Sequence, residues 1–576
     1  MEEATHVLVR PQLIFVAVLV CAAFAAGADL PDRWLSYSAD LTKPEEVDKA
    51  VKMIAQAKAA GCTHVQMNEP IRTQVFDAPP EYVAAAERIL DAATKAGIKI
   101  VPSVFSIGYS GRYVVRDPNI AAGIPVRNAR FKVSKGAALP DQADTFPLAN
   151  GGFDEVEAGK LAGWTYSAPA DSNIVIDTNV KHSGASSLKI TGLDKIPRGA
   201  ERSVHLRQTV KVRPFQYYRV TVWVKAEQMA AEQEDYVVVT SGGGSRRHAY
   251  TNLTVKETQD WTKHETVFNT LDAAEVDFRI GVSSARRGTI WFDDLTVEPA
   301  GLLNVVDRQA APFTVTSEDG SIVYAKGKDF EPVKPSTADE LYEHRASARP
   351  LVITPDSRIK DGQTLLVSYY HTVLIYRDQL GCSLEDPEVF EMMDLQMKNT
   401  ARIWKATDYM MAYDEIRIAG WESRPGGATL KPGELLANHV RKAIEIAHKY
   451  TPGATLYVWS DMFTPHHNAY PFSARNRYYY LVNGNWDGSW EGLPKEVVVV
   501  NWSADREGMM WFAGRGHRQI MAGYYDSDPA ANISAWMEAS NGVPGVIGMM
   551  YTTWRQNYGD MPEFFRLLKD YPNWKK

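Results

Sequence analysis

Acidic and aromatic side chains stand at the ends of several apolar segments in the second half of this 576-residue chain. Asp414 and Glu415 directly follow the apolar run MMAY. Four later segments end in further members of the group, which are Trp459, Asp461, Trp502, Tyr524, Tyr525, Asp526 and Trp554. Carboxyl groups move protons and bind hydroxyl groups, while flat aromatic rings offer an apolar body for stacking. The combination predicts a carbohydrate site with acidic catalysts.

An Asp-Glu dipeptide alone carries little information, because about two are expected by chance at this acid content. The chain has three, at Asp154-Glu155, Asp339-Glu340 and Asp414-Glu415. Only the last follows a strand-like apolar run, and active sites of parallel barrels lie at the C-terminal ends of their strands. This placement predicts Asp414 and Glu415 as the catalytic residues. The alternative is a solvated strand end or a helix cap.

The elements that position these residues alternate between short strand-like and longer helix-like runs. The alternation stops after Tyr109 and returns near residue 364. Continuous apolar strands with intervening helices indicate a buried parallel sheet, so we predict an α/β fold, a (β/α)8 TIM barrel. Nine candidate strands compete for eight positions, and 364–371 is the one expected to lie outside the barrel or to replace a strand. The candidates are 33–38, 64–68, 99–105, 364–371, 409–415, 455–463, 497–502, 519–526 and 545–554.

The interruption has short alternating strands separated by turn residues, which predicts an inserted antiparallel β-sandwich. The predicted domains are a first barrel part over 29–146, the sandwich over 147–300, a β-rich return over 301–345 and the remaining barrel over 346–576.

The inserted segment resembles the jelly-roll carbohydrate-binding modules, which open with an Asn-Gly-Gly-Phe turn and close with a Phe-Asp-Asp strand. The matching runs are LANGGF at 148–153 and WFDD at 291–294. The resemblance implies a structural calcium ion near the joined first and last strands, with Asp154, Glu155 and Asp294 as possible ligands, since carboxylates suit this cation. The equal alternative is that all three are ordinary surface acids.

The N-terminus predicts export. Arg10 precedes an apolar run over 13–24, and the small residues around Ala25 form a plausible cleavage site, so 1–25 is predicted to be a signal peptide. A membrane anchor is the alternative, but the run is shorter than the ~20 residues that a spanning helix needs. The expected location is periplasmic or extracellular.

Composition limits the partners. With 63 basic and 70 acidic residues, the net charge of -7 and the lack of a basic block argue against nucleic acid. Cys62 and Cys382 form no C-x-x-C pair, so neither a disulfide framework nor a cysteine metal site is predicted. The expected partner is an oligo- or polysaccharide, with no required cofactor and no stable membrane insertion.

Over roughly residues 382–556 the chain resembles family 20 glycoside hydrolases, the β-N-acetylhexosaminidases. The shared motifs are the strand-end pair at 414–415, Trp-x-Asp at 459–461, tryptophan at 502, Tyr-x-Asp at 524–526 and tryptophan at 554. The resemblance implies that Glu415 is the general acid and that Asp414 orients a 2-acetamido group, which attacks the anomeric carbon in place of a protein nucleophile. It also implies that Tyr524 binds the acetamido oxygen, Asp526 a hydroxyl group, and Trp459, Trp502 and Trp554 the sugar faces.

Departures from the family pattern keep alternatives open. The first strand offers no arginine, the last ends Trp554-Arg555-Gln556 rather than Trp-x-Glu, and Ala412-Tyr413 replaces the usual Gly-Gly. One alternative is a retaining glycosidase for 2-hydroxy sugars, with Asp526 or Asp461 as nucleophile. The other is a non-catalytic surface glycan-binding protein.

Overall fold

The computed structural model describes residues 30–166, 173–195, 204–233, 236–250, 253–342, 347–376, 378–423, 430–572 and 574. The predicted signal peptide lies outside this range. None of the helices in these segments combines the length and the apolarity that crossing a membrane requires.

Eight parallel strands close into a barrel, which confirms the predicted α/β barrel. The first strand pairs with the second and also with the last, where Asp32–Leu35 lie opposite Gly548–Tyr551. The barrel strands are Asp32–Ser38, His64–Asn68, Lys99–Val104, Asp408–Met411, Thr455–Trp459, Val498–Asn501, Gln519–Tyr524 and Val546–Thr552.

Most residues of these strands are apolar because both faces of the strands are buried. Side chains such as Trp34, Val101 and Met410 fill the barrel interior, while Leu35 and Met411 pack outward against the helices. The outer helices are Pro44–Ala59, Pro80–Ala96, Pro387–Trp404, Pro432–Tyr450, Arg506–Gly514, Pro529–Ser540 and Met561–Asp570.

Local signals explain where these helices begin and end. Proline in the first turn needs no hydrogen-bond partner for its nitrogen, and five of the seven helices begin with it. The carboxylates of Asp386, Asp505 and Asp528 accept hydrogen bonds from first-turn backbone N–H groups. Shorter helices cover Gly111–Val114, Ala338–Tyr342 and Phe472–Arg475.

A seven-stranded antiparallel sheet lies between the barrel and the insertion. Because of this sheet, the boundaries of the barrel differ from the predicted ones. Thr364–His371 pairs antiparallel with Ile124–Ser134, so residues 364–371 lie outside the barrel. Segments before and after the insertion thus share one sheet and bury a common apolar cluster. The barrel strands therefore stop at Val104 and resume at Asp408. The sheet comprises Ile124–Ser134, Ala137–Pro140, Val305–Val306, Thr314–Ser317, Val323–Tyr324, Leu351–Val352 and Thr364–His371.

The insertion itself is antiparallel, as predicted, and has two halves that share the long strand Glu275–Pro299. The first part of this strand pairs with Val204–Lys211, and its second part pairs with Tyr217–Gln233. One buried cluster joins both halves. The jelly-roll connectivity stays a prediction. The nine strands are Thr165–Tyr166, Ile174–Asp177, Ser187–Ile190, Val204–Lys211, Tyr217–Gln233, Val237–Ser241, Arg246–Arg247, Gln259–Asn269 and Glu275–Pro299.

Candidate active site

Asp414 and Glu415 leave the barrel on a sharp turn three residues beyond the fourth strand. Glu415 has φ +47°, in the left-handed region that side chains rarely adopt. Gly108 lies against this turn so closely that a Cβ atom there would be 1.5 Å from the carbonyl oxygen of Asp414. Glycine at 108 therefore allows the segment after the third strand to support the acidic turn.

The strand ends surround a cavity of about 300 Å³. Six of its lining residues are ones that the sequence analysis singled out, and they come from five strand ends far apart in the chain. The lining consists of Ser36, Tyr109, Asp414, Glu415, Trp459, Trp502, Tyr525, Thr552, Thr553 and Trp554.

Three donors hold the carboxylate of Glu415. The hydroxyl of Tyr109 donates to its Oε2 at 2.6 Å, the amide of Gln379 donates to the same oxygen at 3.0 Å, and the guanidinium of Arg417 pairs with Oε1 at 2.7 Å. Burial and the nearby Glu415 raise the pKa of Tyr109, so this phenol stays a proton donor. These three contacts hold the Glu415 carboxyl group in one orientation.

Asp414 has a different environment. Burial raises its pKa well above the ordinary value, and the negative charges of Asp461 and Glu415 raise it further. Asp414 therefore favours its protonated form, whereas the neighbouring Glu415 forms an ion pair with Arg417. A carboxyl group that keeps its proton is what general acid catalysis requires.

Asp461 supports the turn from beneath the cavity. It is fully buried, and its Oδ2 accepts hydrogen bonds from the backbone N–H of Glu415 and the amide of Asn468, both at 2.9 Å. Burial raises the pKa of Asp461, although His467 and these hydrogen bonds oppose the shift. In this structure the Asp461 carboxyl group holds Glu415, and its predicted substrate contact stays a prediction.

Asp526 is similarly occupied. Its oxygens accept hydrogen bonds from the Thr553 hydroxyl at 2.5 Å and from the backbone N–H groups of Trp554 and Arg555 at 2.8 and 3.1 Å. Burial raises its pKa, but these donors lower it overall. Asp526 therefore fixes the loop after the eighth strand and is absent from the cavity lining, while its predicted contact with a sugar hydroxyl stays a prediction.

Tyr525, rather than Tyr524, enters the cavity. Tyr524 is buried, its ring stacks on Tyr551 with centroids 4.3 Å apart, and its hydroxyl donates to Asp560 at 2.6 Å. Residues 524–526 all have positive φ, which ends the regular strand and turns the next ring inward. The predicted acetamido contact of Tyr524 stays a prediction, and the structure places Tyr525 rather than Tyr524 at the cavity.

Aromatic rings form the walls of the cavity. Trp459 and Trp502 are half-buried, and the ring of His467 packs on Trp502 with centroids 4.4 Å apart. Trp554 leans on Tyr525 at 5.0 Å and is 77% exposed, so most of its surface is open for stacking.

Sequence reasoning missed several neighbours of the acidic pair. Tyr109 follows the third barrel strand, and Ser36 lies within the first, so strand position could have pointed to both. Arg417 is two residues beyond Glu415. Gln379 has no local signal, because it belongs to the segment returning from the insertion.

The acids proposed for calcium lie around the loop 182–186. Asp154 accepts hydrogen bonds from the backbone N–H groups of Ala185 and Ser186, and Asp294 accepts one from the hydroxyl of Ser183. In the described part of the chain no three His, Cys, Asp or Glu side chains are grouped to hold a metal ion. The calcium site at Asp154, Glu155 and Asp294 stays a prediction.

Comparison with known proteins shows that the insertion is similar to carbohydrate-binding domains. A family model for a carbohydrate binding domain matches residues 148–285. Curated protein sequences give no match. Solved structures with similarity to the chain include TmCBM61 in complex with β-1,4-galactotriose, at 19% identity over 27% of this chain and 98% of that chain, with a TM-score of 0.20.

Two similar structures extend over most of the chain. A glycoside hydrolase family 20 β-N-acetylglucosaminidase is 9% identical over 96% of this chain and 70% of that one, with a TM-score of 0.33. A rhamnosidase from Novosphingobium sp. PP1Y is 12% identical over 91% of this chain and 55% of that one, with a TM-score of 0.29. The match of the carbohydrate binding domain model to residues 148–285 supports carbohydrate as the ligand class of the inserted domain.

Proposed function

We propose that this chain, with its carbohydrate-binding domain, is a secreted glycoside hydrolase that cleaves a complex glycan or polysaccharide at the barrel cavity. The observation that carries the proposal is the pair at the cavity, where Asp414 favours its protonated form and Glu415 forms an ion pair with Arg417. Glycoside hydrolysis needs one group that gives a proton to the leaving oxygen and a negative group that stabilises the developing cation. Both are present between tryptophan walls.

We further propose a β-N-acetylhexosaminidase-like exo-enzyme that uses substrate-assisted retention. A protein nucleophile would need another carboxylate beside the anomeric carbon, but Asp461 and Asp526 are occupied by backbone and side-chain donors. Among the described residues, Asp414 and Glu415 are the acids that line the cavity. The oxygen of the substrate's own acetamido group can supply the missing nucleophile.

The charges around Asp414 and Glu415 favour the reverse of the catalytic roles that the family 20 resemblance implies. Asp414 gives its proton to the glycosidic oxygen as the bond from that oxygen to the anomeric carbon breaks, and the acetamido oxygen bonds to the same carbon. The carboxylate of Glu415 accepts a hydrogen bond from the acetamido N–H, which becomes positively charged. Asp414 then removes a proton from the water molecule that opens the intermediate, and its own proton is restored.

The first experiment measures hydrolysis of aryl N-acetylglucosaminides, aryl N-acetylgalactosaminides and their 2-hydroxy counterparts. We expect cleavage of acetamido sugars only, and a fall in kcat/KM of roughly 10²–10⁴-fold in both Asp414→Asn and Glu415→Gln. Asp339→Asn and Glu340→Gln, which change the same dipeptide elsewhere, are the matched controls and should keep full activity. Cleavage of 2-hydroxy sugars would instead support a protein nucleophile.

Leaving groups of different acidity separate the two roles. An activated aryl group departs with little protonation, so the variant without the proton donor should regain most of its rate on such a substrate. We expect this recovery for Asp414→Asn and not for Glu415→Gln. Recovery of Glu415→Gln alone would return the acid role to Glu415.

One observation favours the non-catalytic alternative. Three donors already satisfy the Glu415 carboxylate, which is also how a purely structural acid is bound. That alternative predicts glycan binding without turnover by the unmodified protein, measured by calorimetry and by product analysis of the same samples.

A further inference from the structure

We infer that the inserted antiparallel region completes the barrel site, and that Tyr250 is a positioning residue for Glu415. The inference rests on the proposed function only where hydrolysis is its readout. It concerns a contact route from the insertion to the acidic pair, separate from any sugar bound by the insertion itself.

Backbone hydrogen bonds attach a loop of the insertion to the barrel. The carbonyl oxygen of Ser245 accepts a hydrogen bond from the N–H of Tyr478, and that of Tyr250 accepts one from the N–H of Tyr376, both at 2.9 Å. Both acceptors follow the strand Val237–Ser241 within the insertion. The loop is therefore fixed at two points.

The ring of Tyr250 continues this contact toward the cavity. Its centroid lies 4.8 Å from that of Tyr480 and 6.2 Å from that of Tyr376. Those two rings lie against the guanidinium of Arg417, at 4.5 and 4.9 Å. Arg417 in turn pairs with Glu415 at 2.7 Å. Three successive contacts therefore connect the side chain of Tyr250 to Glu415.

Packing of this kind matters because arginine carries much side-chain entropy. An unrestrained arginine loses this entropy when it is held in one geometry. Here the flanking rings limit its motion beforehand, and cation–π attraction adds to the restraint. Tyr376 and Tyr480 have φ of +54° and +44°, a backbone cost that the surrounding contacts must offset.

A second connection runs through Gln379. Residues 375 and 379 form a β-bridge. The ring of Tyr376, which contacts Tyr250, and the amide of Gln379, which binds Glu415, therefore belong to the same short segment. The Gln379 side chain donates to Glu415 and accepts from Arg417. Two of the three donors to Glu415 are thus held by contacts that begin in the inserted domain.

This arrangement predicts an effect that a tethered binding module would not have. A tethered module raises the local concentration of polymer, so its loss changes KM on polymer and leaves small substrates unaffected. A positioning contact instead changes kcat on a small aryl glycoside, because the geometry of the reacting pair is altered.

The test is Tyr250→Leu, which keeps apolar volume and removes the ring, assayed in the full chain on the aryl glycoside that the unmodified protein cleaves. We expect kcat to fall by roughly tenfold to 10²-fold with KM nearly unchanged. Tyr250→Phe keeps the ring and should restore kcat. Unchanged kcat in Tyr250→Leu would overturn the inference, as would an equal loss in Tyr250→Phe.

Phe215→Leu is the matched control. Phe215 lies at the same contact between insertion and barrel, where it packs on Trp421 with centroids 6.1 Å apart and under the guanidinium of Arg127 at 3.8 Å. It has no part in the route to Arg417, so kcat should stay unchanged. An equal loss of kcat in both leucine variants would show a general effect of the interface and overturn the inference.

A crystal structure of Tyr250→Leu gives a readout that needs no turnover. We expect the Arg417 guanidinium to leave hydrogen-bond distance of Glu415, and an unchanged ion pair would overturn the inference. An unmodified protein that cleaves none of the sugars would overturn the proposed hydrolase, while this structural result would still decide the role of Tyr250.

Discussion

The dipeptides Asp339-Glu340 and Asp414-Glu415 place the same two acids in different surroundings. Asp339 forms an ion pair with Arg72, and the two side chains are 56% and 61% exposed. Glu340 binds the backbone N–H of Thr337 at 2.6 Å, and this hydrogen bond, assisted by Arg349, lowers its pKa. At the surface, both acids therefore favour the ionised form.

At the barrel end the corresponding acids diverge. Burial and two neighbouring carboxyl groups raise the pKa of Asp414, whereas Arg417 and two hydrogen-bond donors surround Glu415. Water screens the charges of the surface pair, whereas the cavity pair is more deeply buried, with the Glu415 side chain 25% exposed against 56% for Asp339. The difference shows that burial and the choice of neighbours, rather than the dipeptide, create a candidate catalytic pair.

Among the variants that test this comparison, Asp461→Ala should have the largest effect on kcat. Asp461 and Glu340 both accept a backbone hydrogen bond that fixes a turn. Without Asp461 the turn that carries Glu415 loosens, and we expect kcat to fall by about 10²-fold. Steady-state kinetics on an aryl glycoside measure the change.

Glu340→Ala is the control for Asp461→Ala. It should lower stability by about 1 kcal/mol through loss of a helix cap and leave kcat unchanged. If Asp461→Ala affected only the melting temperature, the two acids would be equivalent structural caps.

A smaller effect is expected from Asp414→Asn, on the pH dependence of the free energy of unfolding. Because the folded-state pKa of Asp414 is raised, its contribution to stability is present at acid pH and is lost as pH rises through that value. Asp414→Asn should therefore stabilise the protein at neutral pH, because the asparagine carries no charge that must be buried. The gain should shrink near about pH 4, as thermal unfolding at both pH values can measure. A gain that is independent of pH would contradict this.

The smallest effect is expected from Asp339→Asn. An exposed ion pair contributes about 0–1 kcal/mol and is screened by salt. We expect a change in melting temperature near the limit of detection and unchanged hydrolysis. A large fall in the melting temperature or in hydrolysis would contradict the distinction between the two dipeptides.

The sequence by itself determined the architecture and the location of the site. Strands that are apolar on both faces can be buried only between helices and a barrel interior, and the short alternating strands at 148–299 indicated the antiparallel insertion. The position of Asp414 and Glu415 beyond an apolar strand indicated the cavity, because parallel strands end at one face of a barrel. These inferences needed only periodicity and order along the chain.

Only the tertiary structure decided which neighbouring groups the acids meet. Tyr109 and Gln379 reach Glu415 from 306 and 36 residues away, and nothing local to either residue reports that contact. Periodicity also fails where strands end: the positive φ values at 524–526 break the alternation of side chains, so Tyr525 faces the cavity and Tyr524 the core. Asp461 and Asp526 became supports for the same reason, since the use of a carboxyl group depends on which donors the fold brings within hydrogen-bond distance.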